Sequence, residues 1–345
     1  MTDRPGDTTE RPEEASIDVL SEVLRAVRLR GAVFYSVTAS SPWVAEAPHA
    51  SELAPYVMPG AEHVIEYHAV TSGSCYGGLI GEEPVRLDAG DIVIFPQGDA
   101  HVMASAVGAR GPVEVAFHQR AALQRLPIRV DYGGTGRDPV RVVCGFLACD
   151  KTPYNPLLAA LPRIVHMKRR ATGEGEMLDH FMHCALEESQ SPRAGGEVVL
   201  ARLSELMFVE VVRRYVASID TAQLGWLSGL RDAVVGRALA ALHARPAYDW
   251  SLEELAREVG ASRSVLAQRF ADYVGAPPMQ YLAQWRMQLA SVLLGGPSTL
   301  AEIAADVGYG SEAALSRAFK KIVGVAPAAW RATRAAPPRR PGVRT

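Results

Sequence analysis

The sequence contains few cysteines, four in 345 residues, and they are scattered along the chain. Cys75, Cys144, Cys149 and Cys184 do not suffice for a disulfide framework in a chain of this length, so we expect reduced thiols. The sequence also lacks a run of about 18 apolar residues and a cationic start followed by an apolar stretch and a cleavage site. These absences argue against a membrane span and a secretion signal, and we expect a cytoplasmic protein.

Net charge is low as well, formally −2, but the charges are unevenly distributed. Residues 237–345 contain 14 Lys and Arg against 8 Asp and Glu, while the rest of the chain contains 22 against 30. Cationic side chains neutralise phosphates and supply the sequence-independent part of DNA affinity. The C-terminal part is therefore the part that we expect to meet a polyanion. Neither a Ser/His/Asp set nor a phosphate-binding loop can be recognised, which argues against common enzyme classes.

The N-terminal half changes from a polar tail to a β-rich pattern. Residues 1–15 are polar and charged, and they predict a tail without fixed structure. A helix is expected over residues 17–29, with Ser16 as its cap. Short β-rich runs follow up to about Ala148, and strands at such short intervals predict a β-sandwich or barrel. The runs are GAVFYSV, HVIEYHAV, CYGGLIG, DIVIFP, VEVAFH and VRVVCGFLAC.

After Pro153 the pattern becomes helical, and one helix is unusually apolar. It is expected over residues 197–217, and its apolar side chains cover more than a narrow stripe: Leu200, Leu203, Leu206, Met207, Val211 and Tyr215. Such a helix is either buried in its own subunit or shared with a second one. We expect it to form the interface of a homodimer. Further helices are expected over residues 228–244, 252–259, 263–274, 278–294, 300–307 and 312–323.

The last third of the chain contains an internal repeat. Ser262 and Ser311 are 49 residues apart, as are Phe270 and Phe319. The repeated segments are LAREVGASRSVLAQRFADYVGAPPMQYL and IAADVGYGSEAALSRAFKKIVGVAPAAWR. Each copy predicts a short helix, a tight turn and a second helix, which is the helix-turn-helix arrangement.

Both copies carry matching signals for that arrangement. Capping-box spacing begins each first helix, at Ser251 and at Thr299. Gly260 and Gly308 lie in turns that we expect to require positive φ. The second helices carry buried stripes at positions i, i+4 and i+8, namely Leu266, Phe270 and Val274 in the first copy and Leu315, Phe319 and Val323 in the second. Their opposite faces are left free.

The free faces hold the candidate DNA contacts. Side chains near the N-terminus of a recognition helix reach base edges in the major groove, where Gln pairs with adenine and Arg with guanine. Gln268 and Arg317 are therefore the first choices for base contacts. The full candidate set is Arg263, Ser264, Ala267 and Gln268 in the first unit and Glu312, Ala313, Ser316, Arg317 and Lys320 in the second. We expect the terminal basic run to be a solvated tail.

At these residues the sequence resembles the C-terminal domain of the AraC/XylS family of transcription regulators. The resemblance covers about residues 240–334 and is most specific in GYGSEAALSRAFKKIVGVAPAAWR, where Leu315 stands in place of the more usual Phe. It implies an all-α domain with two helix-turn-helix units that binds promoter DNA and controls transcription initiation, with RNA polymerase as a partner.

A second resemblance concerns the β-rich half. GDIVIFPQGDAH resembles the second motif of the cupin superfamily and would deliver His101 into a small β-barrel. The first cupin motif is half present, because EYHAVTSG keeps His68 but has Glu66 in place of the partner histidine. The resemblance implies a cupin-like sensory domain, with a site for a ligand or a divalent metal at His68 and His101, helped by Glu66 or Cys75. A small-molecule pocket, a metal or redox sensor and a dimerisation scaffold stay open.

We therefore expect an α+β multidomain protein that is not an enzyme. The expected parts are a tail at 1–15, a cupin-like sensor domain at 16–150, a helical dimerisation and linker region at 151–225, an AraC-type DNA-binding domain at 226–334 and a basic tail at 335–345. The expected function is sequence-specific regulation of transcription, more as an activator than as a repressor, under control of an unknown small-molecule effector. The alternative is a cupin-type metalloenzyme with a helical assembly domain.

Overall fold

The structure is a computed structural model that describes residues 18–113, 115–121, 127–169, 176–191, 193–220 and 223–335. The expected tail at residues 1–15, the cap at Ser16 and residues 336–345 of the basic tail lie outside the described residues. In the described part of the chain, no helix is long and apolar enough to cross a membrane.

Strands and helices follow the expected order, with the strands in the first half of the chain. The strands are β1 Arg30–Ser41, β2 Val44–Ala47, β3 His63–Ser72, β4 Ser74–Leu79, β5 Val85–Asp88, β6 Ile92–Phe95, β7 His101–Ala104, β8 Ile128–Tyr132, β9 Arg137–Cys149 and β10 Val165–Met167. The first helices are α1 Val19–Ala26, α2 Ala50–Val57, α3 Val115–Ala121, α4 Pro156–Ala160, α5 Glu176–Gln190 and α6 Gly196–Ser218. The remaining helices are α7 Trp226–Gly229, α8 Val235–Ala244, α9 Leu252–Glu258, α10 Arg263–Val274, α11 Pro278–Leu293, α12 Leu300–Asp306, α13 Glu312–Val323 and α14 Pro327–Ala335.

Two sheets face each other in the N-terminal half. The larger has the strand order β10, β6, β3, β9, β1, β8, and the smaller has the order β2, β7, β4, β5. Neighbouring strands are antiparallel except for β1 and β8, which are parallel. Apolar side chains from both sheets, such as Val70, Leu87 and Val142, fill part of the space between them. This arrangement confirms the expected sandwich or barrel.

Strand β9 shows how the larger sheet separates two apolar layers. Because side chains alternate along a strand, Phe146 packs toward the space between the sheets while Val143 and Leu147 pack toward the helices outside. Helix α6 lies against β1 and α5 on that outer side. Cys144 and Cys149 accordingly lie on opposite faces, as their odd spacing predicts.

One expected strand is wrong. Residues 113–118 were expected as a strand from VEVAFH, but Val113 makes only an isolated bridge to Glu46, and α3 begins at Val115. A short apolar run fits a strand and a buried helix equally well, and here tertiary contacts decide. Helix α3 packs against α2 and brings Phe117 next to Tyr35 of β1.

The sequence pattern also missed several elements and misplaced some ends. The missed elements are short, namely α2, α14, β2, β5, β7, β8 and β10, and β10 interrupts the helical pattern expected after Pro153. Helix α1 begins later than expected and is capped by Asp18, whose carboxylate accepts from the Ser21 amide. The helix expected over residues 228–244 is two helices, because the Asp232 carboxylate accepts from the amides of Val234 and Val235 and starts α8 anew.

The duplicated units match the sequence pattern more closely. Helices α10 and α13 have the expected bounds. The capping boxes at Ser251 and Thr299 are both formed. Gly260 and Gly308 have φ of 66° and 79°, as their turns were expected to require. The glycine that ends each recognition helix is left-handed as well.

The two units do not share one core. Leu266, Phe270 and Trp285 of the first unit belong to the apolar core that also contains α1, the outer face of the larger sheet and α6. Leu315 and Phe319 of the second unit belong to a separate cluster, which is closed by the C-terminal half of α11. The first unit is thus continuous with the sheet domain, and the second is attached to it through α11 and through Arg334 of α14.

Candidate nucleic-acid interface and buried cavity

The recognition helices α10 and α13 present the expected faces to solvent. Their exposed members are Arg263, Ser264, Gln268, Glu312, Ala313, Arg317 and Lys320, and the half-buried members are Ala267 and Ser316. Ser262 and Ser311 cap the two helices by accepting from the amides of Val265 and Ala314. The capped N-termini and the polar faces can therefore approach a duplex, although their contact with bases stays a prediction.

The two faces differ in how many of their polar groups are already engaged. On α10, the Gln268 amide donates to the Asp272 carboxylate at 2.8 Å, and Arg263 lies 3.7 Å from Glu253. Arg269 is bound to the largely buried Asp232 and holds α10 in place. On α13, by contrast, no ion pair of Arg317 or Lys320 is formed with any described residue. The cationic side chains of the second unit are therefore less engaged in contacts within the protein than those of the first.

Helix α11 and one arginine fix the arrangement of the two units. The 16 residues of α11 span about 24 Å at a rise of about 1.5 Å per residue. From its middle, Arg286 donates to the carbonyl oxygens of Pro246 and Tyr248 at 2.7 Å each and reaches Gly308 at 3.4 Å. Arg286 thus ties the turn of the second unit to the loop before the first. Sequence reasoning missed this residue.

A cavity of about 670 Å³, counting the space at its mouth, opens between the two sheets. Its walls are largely aromatic and apolar, with Tyr35, Trp43, Phe117, Tyr132 and Phe146 among them. Its polar residues include Glu46, which is held by Arg110 with two hydrogen bonds of 2.6 and 2.8 Å, and a buried cluster of Glu66, His68 and His101. Both histidines expected at this site therefore line one cavity.

The buried cluster joins strands of both sheets. Glu66 and His68 are two residues apart on β3 and share a face, and His101 begins β7 opposite them. The Nε2 atoms of His68 and His101 are 2.7 Å apart, and Glu66 Oε2 is 3.7 Å from His101 Nε2. One ligand atom from each residue lies within 4.8 Å of the others. Glu66, weighed at the sequence level only as a helper, is a full member of this cluster.

Burial determines the charge state of these groups. It raises the pKa of Glu66 to about 8 and lowers the pKa of His101 to about 4. The pKa of His68 is also well below its usual value, because of burial and then because of the neighbouring His101. Neither histidine of the cluster is therefore a cation that could balance an ionised Glu66 at neutral pH.

The buried cluster fits a metal ion by its donor set and by its unsatisfied atoms. Glu66 Oε1 and His68 Nδ1 are buried and have no hydrogen-bond partner among the described residues. Two imidazoles and a carboxylate are ligands that divalent transition metals prefer. Cys75 is not part of the cluster. Burial raises the pKa of the Cys75 thiol to about 12, so its reactive thiolate is scarce at neutral pH.

Comparison with known proteins agrees with this architecture. The model of a family described as cupin matches residues 18–217, and that of a helix-turn-helix domain matches residues 255–333. An AraC-like transcription regulator of Streptomyces lividans is 32% identical over 317 residues, which make up 91% of this chain and 98% of that protein. The chain belongs to the AraC family of transcription regulators.

Two further proteins are similar to this chain, one over most of its length and one over its last third. The RCS-specific HTH-type transcriptional activator RclR of Escherichia coli (strain K12) is 25% identical over 91% of this chain and 97% of its own length. The DNA-binding domain of AdpA, solved in complex with a target DNA, is 30% identical over 32% of this chain and 99% of that chain, with a TM-score of 0.30. The expected cupin-like domain followed by a helix-turn-helix domain is confirmed.

In this AraC-family chain, sequence reasoning also missed the polar contacts between the two halves. The fully buried Gln288 of α11 donates to the Ala26 carbonyl at 2.8 Å and accepts from the Tyr154 amide at 3.1 Å. Arg334 of α14 pairs with Glu62 and with Asp150, the latter at 3.2 Å. A glutamine among apolar positions was a detectable signal for the first contact, whereas no pattern marks Arg334.

Proposed function

We propose that this protein is a sequence-specific DNA-binding regulator, an activator more than a repressor, that responds to a signal at the cavity of its cupin-like domain. The observation that carries the proposal is the pair of capped recognition helices, both with free polar faces, in a chain whose AraC-family relatives match over most of its length. The E. coli relative is named an activator, which supports that sign of regulation. RNA polymerase is then a partner.

Base contacts are assigned to the N-terminal halves of α10 and α13. We propose that Arg317 and Gln268 read base edges, because both side chains are exposed on the faces opposite the buried stripes. The remaining residues of the candidate set surround them and contact bases or phosphates. Those residues are Arg263, Ser264, Ala267, Glu312, Ala313, Ser316 and Lys320.

Genomic DNA capture by the purified full chain tests the assignment. We expect enrichment of one asymmetric motif, because two non-identical recognition helices lie on one chain. The double variant Gln268→Ala with Arg317→Ala should lose that motif while retaining salt-sensitive binding to DNA in general. Arg86→Ala is the control, since Arg86 is an exposed arginine of β5 in the other half of the molecule. Capture without any motif, or an unchanged motif in the double variant, would contradict the proposal.

The signal is proposed to reach DNA binding through the contacts of Gln288 and Arg334. A ligand changes the arrangement of the units only if it binds two arrangements with different affinity. Arg334→Gln releases the second unit from Glu62 and Asp150, so we expect weaker operator binding although no DNA-facing residue is changed. Operator affinity equal to that of Arg86→Gln, a variant of an exposed arginine on β5, measured by fluorescence anisotropy at one salt concentration, would contradict this coupling.

We still propose a homodimer, but its interface differs from the expected one, which included apolar residues of α6 such as Leu203. Most of the apolar surface of α6 packs inside the subunit, and Leu203 is only 9% exposed. Val198, Val199 and Leu206 are 65%, 45% and 45% exposed on α6, and they are the residues that a second subunit could cover. We propose this exposed stripe as the dimer interface.

A cupin-type metalloenzyme is the second candidate, favoured by the cluster of Glu66, His68 and His101 beside an aromatic cavity. Metal content after purification, measured together with retention on heparin, separates the two functions. Stoichiometric iron or manganese in a protein without salt-sensitive DNA binding would favour the enzyme. Salt-sensitive binding to DNA favours the regulator, whether or not a metal is present.

A further inference from the structure

Helix α11 crosses from the apolar core of the first helix-turn-helix unit into that of the second. Trp285 belongs to the first core, and Met287, two residues later, belongs to the second. Among the described residues, no apolar cluster contains both Phe270 of the first unit and Phe319 of the second. Helix α11 therefore joins the units, while the angle between them is not fixed by a shared apolar core.

Arg286, between these two residues of α11, makes polar contacts with both units. Its Nε and Nη2 atoms donate to the carbonyl oxygens of Pro246 and Tyr248 at 2.7 Å each, in the loop between α8 and α9. Its Nη1 atom donates to the carbonyl oxygen of Gly308 at 3.4 Å, in the turn of the second unit. A guanidinium group directs its donors in a fixed planar fork. One side chain therefore spans both units and favours one geometry between them.

The turn of the second unit also lies close to the same loop. Gly308 has φ of 79°, and a Cβ added there would lie 2.5 Å from the Ala247 carbonyl oxygen. The Tyr309 ring lies 5.7 Å from the guanidinium carbon of Arg286, within the range of a cation–π contact. Arg286 is half-buried, and burying part of a cation costs free energy unless hydrogen bonds replace its water. With three backbone acceptors, Arg286 is engaged at this junction and is not free to bind phosphate.

The helical shape of DNA makes the angle between the units important. One inserted base pair moves a half-site by about 3.4 Å and rotates it by about 34° around the duplex, because a turn of about 34–36 Å contains about 10–10.5 base pairs. Units that shift against each other can follow such a change. Units held by Arg286 cannot follow it without breaking the hydrogen bonds of its guanidinium group.

We propose that Arg286 is a positioning residue that fixes the separation and relative rotation of α10 and α13, and thereby the single spacing at which the chain reads the two halves of its operator. The inference rests on the proposed function, because it concerns how the two recognition helices read one site. Arg286 acts through the loop after α8 and the turn before α13 rather than by contact with DNA. Its loss therefore relaxes the spacing requirement.

Changing the spacing of the operator tests the proposal. The motif captured by the full chain is synthesised with one base pair inserted between the halves that Gln268→Ala and Arg317→Ala assign, and binding is measured by fluorescence anisotropy at one salt concentration. The wild-type chain should bind the lengthened operator at least about tenfold more weakly, because one half-site loses its base contacts. In Arg286→Lys this penalty should fall to about threefold or less, since a chain with several arrangements can select the one that fits.

Two features of the design separate positioning from charge and from stability. Arg286→Lys keeps the positive charge but replaces the fork with one ammonium group, so the attraction to phosphate is preserved. Arg331→Lys is the matched control, because Arg331 donates to the carbonyl oxygens of Leu294 and Ser298 within the second unit. A variant that only loses stability binds both operators more weakly and leaves the ratio of the two affinities unchanged.

Three outcomes of the spacing experiment would overturn the proposal. They are equal binding of both operators by the wild-type chain, an unchanged penalty in Arg286→Lys, and an equal reduction of the penalty in Arg331→Lys.

A distance measurement without DNA separates this inference from the proposed function. Spin labels are attached at Ala271→Cys of α10 and Lys321→Cys of α13, both exposed positions, in a chain that carries Cys144→Ala and Cys184→Ala. Electron double resonance should give one narrow distance distribution, and a broader one once Arg286→Lys is added. If the chain captures no DNA motif but the two widths differ, the proposed function fails and Arg286 still positions the units. Equal widths would overturn the positioning role, whatever DNA the chain binds.

Discussion

The two helix-turn-helix units are copies in sequence but have different surroundings in the fold. The first shares its core with the cupin-like domain, through Leu266, Phe270 and the N-terminal half of α11. The second closes a small core of its own around Leu315 and Phe319. A repeated sequence motif therefore specifies the shape of a unit, whereas the residues around the motif determine what that unit is attached to.

The difference extends to charge. In the first unit, Arg269 is held by Asp232 and Gln268 by Asp272, so much of its polarity is engaged within the protein. In the second unit, Arg317 and Lys320 are exposed. Under the proposed function, the shared core of the first unit and the Arg334 contact of the second unit both link the cupin-like domain to DNA binding. The exposed cations of the second unit then provide much of the attraction to phosphate and bases.

The largest expected loss of stability comes from removing one buried ring from each of the two cores, and it shows whether the cores unfold independently. Phe270→Ala and Phe319→Ala each remove a fully buried ring and should cost about 3–5 kcal/mol. Hydrogen exchange should show loss of protection across the first unit and the cupin-like domain for Phe270→Ala, because their core is continuous. For Phe319→Ala the loss should stay within the C-terminal half of α11 and residues 300–335. Identical exchange patterns in the two variants would show that the units unfold together and that the comparison is wrong.

A smaller effect distinguishes the two turn glycines. Both have positive φ, so alanine at either position should cost about 1–2 kcal/mol. At Gly308, however, an added Cβ would lie 2.5 Å from the Ala247 carbonyl oxygen, while at Gly260 it would meet open space. We expect Gly308→Ala to lower the free energy of unfolding more than Gly260→Ala, as measured by urea denaturation. A larger loss for Gly260→Ala would contradict the close approach of the two units.

Removing the proposed base contact of the second unit should weaken operator binding more than removing that of the first unit. Arg317→Ala is expected to cost about 1–3 kcal/mol of operator binding and to relax one base preference. Gln268→Ala should cost less, because the Gln268 amide must first leave Asp272. Binding to a panel of operators with single base changes measures both. If Arg317→Ala weakens all sequences equally, Arg317 contacts phosphate and Gln268 carries more of the readout.

Sequence reasoning succeeded where local signals and tertiary packing agree. The bounds of α10 and α13 were predicted correctly, because serine caps, buried stripes at helical spacing and terminal glycines all specify the same ends. It failed for α3, since a short apolar run carries no period that separates strand from helix. The missed strands β5 and β7 have four residues each and are defined by their partners rather than by their own pattern.

The candidate site was predictable in part. His68 and His101 were found through motif spacing, and the structure brings them together. Glu66 could be seen as a replacement for a histidine, but its membership of the cluster depends on two sheets meeting face to face. The contacts of Gln288 and Arg334 join residues far apart in the chain. No local sequence pattern identifies both partners of such a contact, because the contacts form only when one domain packs on the other.

A substitution in the exposed stripe of α6 is expected to have the smallest effect on folding. It tests whether two copies of the chain form a dimer and so bring four helix-turn-helix units together. Leu206→Glu places a charge at a 45% exposed position, so the free energy of unfolding of the subunit should change by no more than about 0.5 kcal/mol. Sedimentation should nevertheless show a monomer, because a charge on each copy would oppose the other across a symmetric interface. Leu203→Glu is the contrasting variant, since its charge would enter the subunit core and unfold it. A Leu206→Glu dimer of unchanged mass would place the interface elsewhere and leave α6 as a purely internal helix.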